Sequence, residues 1–255
     1  MGAALVAGWL DAGHEAESMT VAEADAGRRH ELETLLPGVR VAPSAPWVVG
    51  EADVVVVAVK PADVATVLDA AASALEPHSL VLSIAAGVSI GSLERAVPGR
   101  PVVRAMPNTP ALLREGVAAV TGGTHATDAH VQTACRLLGA VGTVVVVPES
   151  GLDAVTGLSG SGPAYVFLVA EALIEAGVLN GLPRDTAAAL VHGTIRGAGV
   201  MLTDTGDSAE QLRAAVTSPG GTTAVGLRAL EAGGVRAAMI DAVTDATRRS
   251  RELDV

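Results

Sequence analysis

The chain has 255 residues, 49% of them apolar and 18% charged, which is ample for one large or two medium domains and too apolar for disorder. A formal net charge of −11 argues against a nucleic acid partner, because such affinity rests on clustered Lys and Arg; the expected ligand is a small molecule. The single cysteine, Cys135, excludes a disulfide within the chain and reads as a buried, inert thiol in an apolar helical pattern. A cytoplasmic setting with no membrane partner is expected, since no charged leader opens the chain and no run reaches about 18 apolar residues.

In chain order, the stretch Met1-Gly-Ala-Ala-Leu-Val-Ala-Gly-Trp-Leu10 reads as a helix with an apolar stripe, and Thr20-Val-Ala-Glu23 as a short strand ending in an acid. Continuous apolar runs then predict strands over 51–59, 79–85, 101–106 and 142–147, with helices over 62–75, 89–96 and 128–138 between them. Strands apolar on both faces and separated by helices describe a parallel sheet covered on two sides. From Glu149 onward the spacing is helical. Ser161-Gly-Pro163 starts a helix over 164–176, Leu182-Pro-Arg-Asp185 starts another, Ser208 with Gln211 has capping-box spacing, and a last helix covers 235–252. Gly193, Gly197 and Gly199 share one side of their helix and suit close packing with another helix or subunit. The expected domains are 1–149 and 150–255.

In a dinucleotide-binding fold a glycine-rich turn precedes a helix, and an acid about 20 residues on holds the adenosine ribose. Gly2 and Glu23 have that separation, so the chain reads as opening inside the fingerprint, without its first strand and early glycines. Glu23 suits a free ribose hydroxyl, while Arg28 and Arg29 either neutralise a 2′-phosphate or form a solvated helix face; NADH and NADPH both stay open. Three segments fall at the carboxyl ends of expected strands, where ligands of such sheets collect: Ala58-Val59-Lys60-Pro61, Ala85-Ala86-Gly87, and Met106-Pro107-Asn108-Thr109-Pro110. Alone, each has a plain reading, as a surface lysine, a turn or a strand stop. Together they mark a cofactor site. The six histidines show no metal-ligand spacing beyond His125 and His130 in a polar loop and helix start, so no metal is expected.

The second half carries two glycine-rich segments, Asp153-Ala-Val-Thr-Gly-Leu-Ser-Gly-Ser-Gly-Pro-Ala-Tyr165 and Thr217-Ser-Pro-Gly-Gly-Thr-Thr-Ala-Val-Gly226. With Ala58-Val-Lys-Pro61 and Arg104-Ala-Met-Pro-Asn108 they resemble the pyrroline-5-carboxylate reductase family of proline biosynthesis, over essentially the whole chain. The likeness departs at the front, where only Met1-Gly2 stand for the family's glycine-rich turn. It implies a doubly wound, Rossmann-like, mostly parallel sheet, N-terminally incomplete, followed by an all-helical dimerisation domain. It also implies self-association as a dimer, often in a larger ring such as a decamer, and NAD(P)H-dependent reduction of 1-pyrroline-5-carboxylate to L-proline. NADP is the expected cofactor, NAD the alternative, held by Met1, Gly2, Ala58, Val59, Lys60, Pro61, Ala85, Ala86, Gly87 and Pro107.

That substrate is a cyclic imine bearing a carboxylate, and needs an anion seat and a group to orient its nitrogen. Ser218-Pro-Gly-Gly-Thr-Thr223 breaks the helical pattern so that a new helix begins near Thr222, aiming free N–H groups and a positive dipole end at an anion. Ser218, Gly220, Gly221, Thr222 and Thr223 are the expected substrate-binding residues. The resemblance places Thr156, as the catalytic residue, near the substrate nitrogen. Two other readings compete. One is another two-domain dehydrogenase, acting on a small hydroxy acid or imine and expected to need a lysine in its helical half, whereas the only lysine here is Lys60. The other is a non-catalytic remnant that binds proline-like ligands without turnover.

Overall fold

The computed structural model describes residues 1–253. In chain order the first part comprises α1 (Gly2–Asp11), β1 (Thr20–Ala22), α2 (Ala26–Leu35), β2 (Arg40–Ala42), β3 (Val54–Val57), α3 (Val64–Ala71), β4 (Leu80–Ser83), α4 (Ile90–Ala96), β5 (Val102–Pro107), β6 (Gly116–Gly122), α5 (Asp128–Gly139) and β7 (Gly142–Val146). Helices follow: α6 (Leu152–Val155), a π-turn (Thr156–Gly160), α7 (Gly162–Leu179), α8 (Arg184–Asp204), α9 (Ala209–Ala215), α10 (Thr222–Ala232) and α11 (Val235–Leu253). The chain forms two compact units. The first is Met1–Ser161 together with the chain from Asp245; the second is Gly162–Thr244. The change from strands to helices near residue 150 falls on the 3-10 turn Glu149–Gly151, ahead of the division between units, because α6, the π-turn and the end of α11 belong with the sheet.

In the first unit the strands form a five-stranded sheet of order β3-β4-β5-β6-β7 and a separate two-stranded sheet, β1-β2. All pairs are parallel except β5 with β6. One antiparallel pair among parallel ones agrees with the expected mostly parallel sheet, while β6 and β2 are strands the sequence pattern did not signal. β6 reads Gly-Val-Ala-Ala-Val-Thr-Gly, with no aromatic residue and its three β-branched residues broken up by alanine and glycine. The connection from Pro107 to Gly116 holds only a 3-10 turn, Thr109–Leu113, too short for a parallel crossover, so the chain must reverse.

Both faces of the five-stranded sheet are buried, as continuous apolar strands require. On one face Leu80, Leu82, Val103 and Ala105 pack with Leu5 and Trp9 of α1, Leu36 beyond α2, and Ala134 and Leu138 of α5. Val21, Val41, Val54 and Val56 pack against this same core, so the two sheets share it. On the other face Val57, Val81 and Val102 meet Val64 and Leu68 of α3 and Leu93 of α4. The Trp9 indole donates to the Leu137 carbonyl at 2.7 Å, tying α1 to α5. Cys135 is half-buried beside this core rather than fully enclosed.

The second unit has almost no interior of its own. Ala187 is its sole buried hydrophobic residue, lying against Gly177 where α7 meets α8. Large apolar side chains stand outward, among them Phe167 (63% exposed), Leu168, Leu173, Leu190, Met201 and Ile240. Gly193, Gly197 and Gly199 face open space, so no helix among the described residues uses their close approach. One helical stretch, Glu149–Leu179, is long and apolar enough to cross a membrane, contrary to the expectation that no such run exists. The expectation concerned an unbroken apolar run, whereas here Val, Leu, Ile and Phe carry the mean hydropathy although Glu171 and Glu175 interrupt them.

Candidate active site

In the first unit, register sets Val57 beside Ser83 and Ser83 beside Arg104, so β3 and β4 end level and β5 runs three residues further, to Pro107, at the same end of the sheet. Ala58-Val59-Lys60-Pro61, Ala85-Ala86-Gly87 and Pro107 therefore emerge at one end of the sheet. Pro107 itself is the buried last residue of β5. Lys60 is exposed and its carbonyl accepts from Asp63 N at 2.9 Å, opening the 3-10 turn Pro61–Asp63. Met1 is the N-cap of α1 with no side-chain cap, which leaves the Gly2 and Ala3 N–H groups pointing outward. A Cβ on Gly2 would stand 3.0 Å from that of Ala58, so the helix start joins the other segments. Gly87 has φ +68°, a backbone that L side chains rarely adopt, and a Cβ there would lie 3.2 Å from the Leu253 carbonyl oxygen. Closely approaching backbone, uncapped N–H groups and three strand ends fit a dinucleotide.

At the end of β1 the acid and the arginines are already engaged. Glu23 Oε1 accepts from Asp25 N at 3.0 Å, and Asp25 caps α2 by accepting from Arg28 N at 2.7 Å. Arg29 donates to the carbonyls of Glu23 and Ala24, and Arg28 to Glu31 at 2.6 Å. Arg29 thus shapes the turn after β1, while Arg28 lies on an exposed helix face.

Thr156 opens the π-turn, in which Ser161 N donates to the Thr156 carbonyl at 2.9 Å. Such a π-turn, with its i+5 hydrogen bond, widens the helix by one residue and is found mostly at functional sites. The Thr156 hydroxyl donates to the Leu152 carbonyl at 2.9 Å, which leaves its lone pairs free to accept. Two buried side chains fix this turn against the sheet. Asn108 donates to the Ser159 carbonyl at 3.1 Å and accepts from Val117 N at 2.9 Å. Arg104, 6% exposed, pairs with Glu149 at 3.3 Å, and Glu149 also accepts from Ile90 N at 2.7 Å. A Cβ on Gly160 would come within 2.8 Å of the Met106 methyl, so glycine lets the turn lie close to β5.

In the second unit, Ser218-Pro-Gly-Gly221 is a β-turn closed by Gly221 N donating to the Ser218 carbonyl at 3.0 Å. Proline at its second position and Gly220 at its third, with φ +71°, are what a type II turn requires. Gly221 is then the N-cap of α10, with no side-chain cap, and a Cβ there would collide with Ser218 Oγ. The N–H groups of Thr222 and Thr223 are left without intrahelical acceptors, and the hydroxyls of Ser218, Thr222 and Thr223 make no hydrogen bond to the described residues. One turn and one helix start thus present unpaired donors of the kind that can receive an anion. At the far end of α10, the Arg236 guanidinium donates to Glu231 at 2.6 Å and holds its carboxyl below the usual range, with Arg213 adding to the effect.

Comparison with known proteins decides the family. A relative from Methanosarcina acetivorans, described as a pyrroline-5-carboxylate reductase, is 41% identical over 255 residues, covering 99% of this chain and 94% of its own. The chain belongs to the pyrroline-5-carboxylate reductase family. Residues 149–253 match the family's dimerisation model, and residues 1–87 match a model described as NADP oxidoreductase coenzyme F420-dependent. The solved pyrroline-5-carboxylate reductase of Coxiella burnetii superposes with a TM-score of 0.94 at 35% identity, covering 99% of this chain and 94% of that one. A Plasmodium falciparum pyrroline carboxylate reductase solved with NADP bound gives 0.87 at 31% identity, covering 100% and 95%. Membership in this reductase family sets aside the reading as another two-domain dehydrogenase.

The sequence reading carried Arg104 and Asn108 only inside motif segments, without a role of their own, and did not pair Arg104 with Glu149. Their signal was present, since an Asn and an Arg in otherwise apolar strand surroundings must find partners if buried. His130, noted as one of two spaced histidines, has a structural use: its Nδ1 accepts from Thr127 N at 3.1 Å in a capping box.

Proposed function

We propose that this chain reduces 1-pyrroline-5-carboxylate to L-proline with NADPH, NADH being the alternative, in the cytoplasm. Residues 1–149 hold the dinucleotide, and residues 150–255 hold the substrate and the subunit contacts. The exposed apolar helices of the second unit pair with a second copy, and the dimers assemble further into a ring such as a decamer. The observation that carries the reading is the uncapped start of α10: a carboxylate there receives the Thr222 and Thr223 N–H groups and a favourable helix dipole.

NADPH, when bound, supplies the hydride for the imine carbon. The residues of the chain bind and orient. Ala58-Val59-Lys60-Pro61, Ala85-Ala86-Gly87, Pro107 and the Met1-Gly2 helix start line the cofactor end of the sheet. Ser218, Gly220, Gly221, Thr222 and Thr223 seat the carboxylate. The Thr156 hydroxyl, its proton committed to Leu152, accepts from the N–H of the protonated imine and so favours the iminium over the neutral ring. No strong acid is needed, because the imine takes its proton from water before reduction.

The seat is tested by comparing 1-pyrroline-5-carboxylate with 1-pyrroline, which lacks the carboxylate. The seated form is expected to have a kcat/KM at least about 100-fold higher, the range of two or more charge-assisted hydrogen bonds. Equal efficiency for the two imines would remove the seat from the mechanism.

A further inference from the structure

The last turn of α11 carries a polar side chain that the proposed chemistry leaves unused. Ser250 is 5% exposed and is the one buried residue of that helix. A serine within a helix ordinarily bonds back to its own preceding turn or to water. Here its Oγ donates to Asp153 Oδ1 at 2.8 Å, across 97 residues of sequence. Arg251 Nε lies 3.8 Å from the other oxygen of that carboxylate, whose side chain is 19% exposed.

Asp153 is the second residue of α6, and Leu152 just before it lends the carbonyl that receives the Thr156 hydroxyl at 2.9 Å. α6 is four residues long and runs straight into the π-turn, so its own hydrogen bonds hold its direction weakly. It is fixed from outside instead. Leu152, 1% exposed, anchors it by burial, and Ser250 anchors it through Asp153. Three residues after Ser250, the Leu253 carbonyl backs the left-handed Gly87 turn. One turn of α11 therefore touches both the segment carrying Thr156 and the glycine of the cofactor end.

We propose that Ser250 is a positioning residue: through Asp153 it sets the start of α6, and with it the direction of the Leu152 carbonyl and the Thr156 hydroxyl. In its kinetic consequence the proposal rests on the reductase reading above.

The test uses the full chain with Ser250→Ala, Asp153→Ala and the double variant, read by steady-state kinetics, thermal melting and amide hydrogen exchange. Ser250→Ala is expected to lower kcat about five- to twentyfold with KM for both substrates changed less than about threefold, as for loss of one orienting hydrogen bond. The double variant is expected to be no slower than Asp153→Ala, because both remove the same link. A fall in melting temperature with kcat unchanged, or effects that multiply in the double variant, would make the contact a mere staple and overturn the proposal. If the parent chain shows no imine-dependent turnover, the reductase reading fails by itself and exchange decides this one. Ser250→Ala should then speed exchange in residues 156–161 at least tenfold while β4 and β5 stay protected; unchanged or uniformly faster exchange would refute it.

Discussion

Thr156 is the residue whose chemistry the site states most directly. Its hydroxyl proton is already given to Leu152, so what it offers a ligand is a lone pair. Thr156→Val keeps the shape and removes the acceptor; kcat should fall about 10- to 100-fold, the worth of one hydrogen bond to a charged group, with folding unchanged. Thr156→Ser should retain most activity in the same assay. Gly220 makes the complementary point about backbone. With φ +71° it sits where an L side chain costs about 1–2 kcal/mol, so Gly220→Ala should lower the melting temperature slightly and raise KM for the imine about tenfold with kcat little changed. The Ser218–Gly221 turn was legible because a proline and two glycines interrupt a helical pattern. Thr156 was not legible from pattern: a threonine amid Ala, Val and Gly carries no periodic signal, and only resemblance to a family picked it out.

Among the elements, caps and short strands set where the protein gives way first. Ser208 Oγ accepts from Gln211 N at 3.2 Å while Gln211 Oε1 accepts from Ser208 N at 2.8 Å, and this box starts α9. Ser208→Ala should cost about 1 kcal/mol of helix stability, seen as a lower urea midpoint. β1 and β2 are three residues each and pair only with one another, so their amides should exchange with solvent well before those of β4 and β5. The Glu231–Arg236 pair at the end of α10 is pH-dependent in a known sense. Its carboxyl titrates below the ordinary range, so its stabilisation is present above that range and is lost as pH falls below it, through the lowered value; solvent exposure of both side chains keeps the effect small. Boundaries at this scale followed the hydrophobic pattern wherever both faces of a strand are buried, as in Leu80–Ser83. The antiparallel β6 and the π-turn escaped it, because one is too rich in alanine and glycine and the other differs from an α-helix only in hydrogen-bond register.

At the scale of the whole molecule, the second unit cannot account for its own stability, since its large apolar side chains face outward. A family dimerisation match over residues 149–253 explains what such helices are for. Phe167→Glu places a charge in that face and should shift the protein to a smaller species in sedimentation, with loss of thermal stability. The division into a strand-rich and a helical half was readable from residue types alone; the outward face was not, because burial against another chain leaves the same pattern as a core. The central claim is tested most directly by following NADPH absorbance and proline together as 1-pyrroline-5-carboxylate is added to the purified chain. One proline formed for each NADPH consumed, saturating in the imine, is the expected result. NADPH left untouched by the imine, with proline-like ligands still bound, would contradict it and leave a binding protein in place of a reductase.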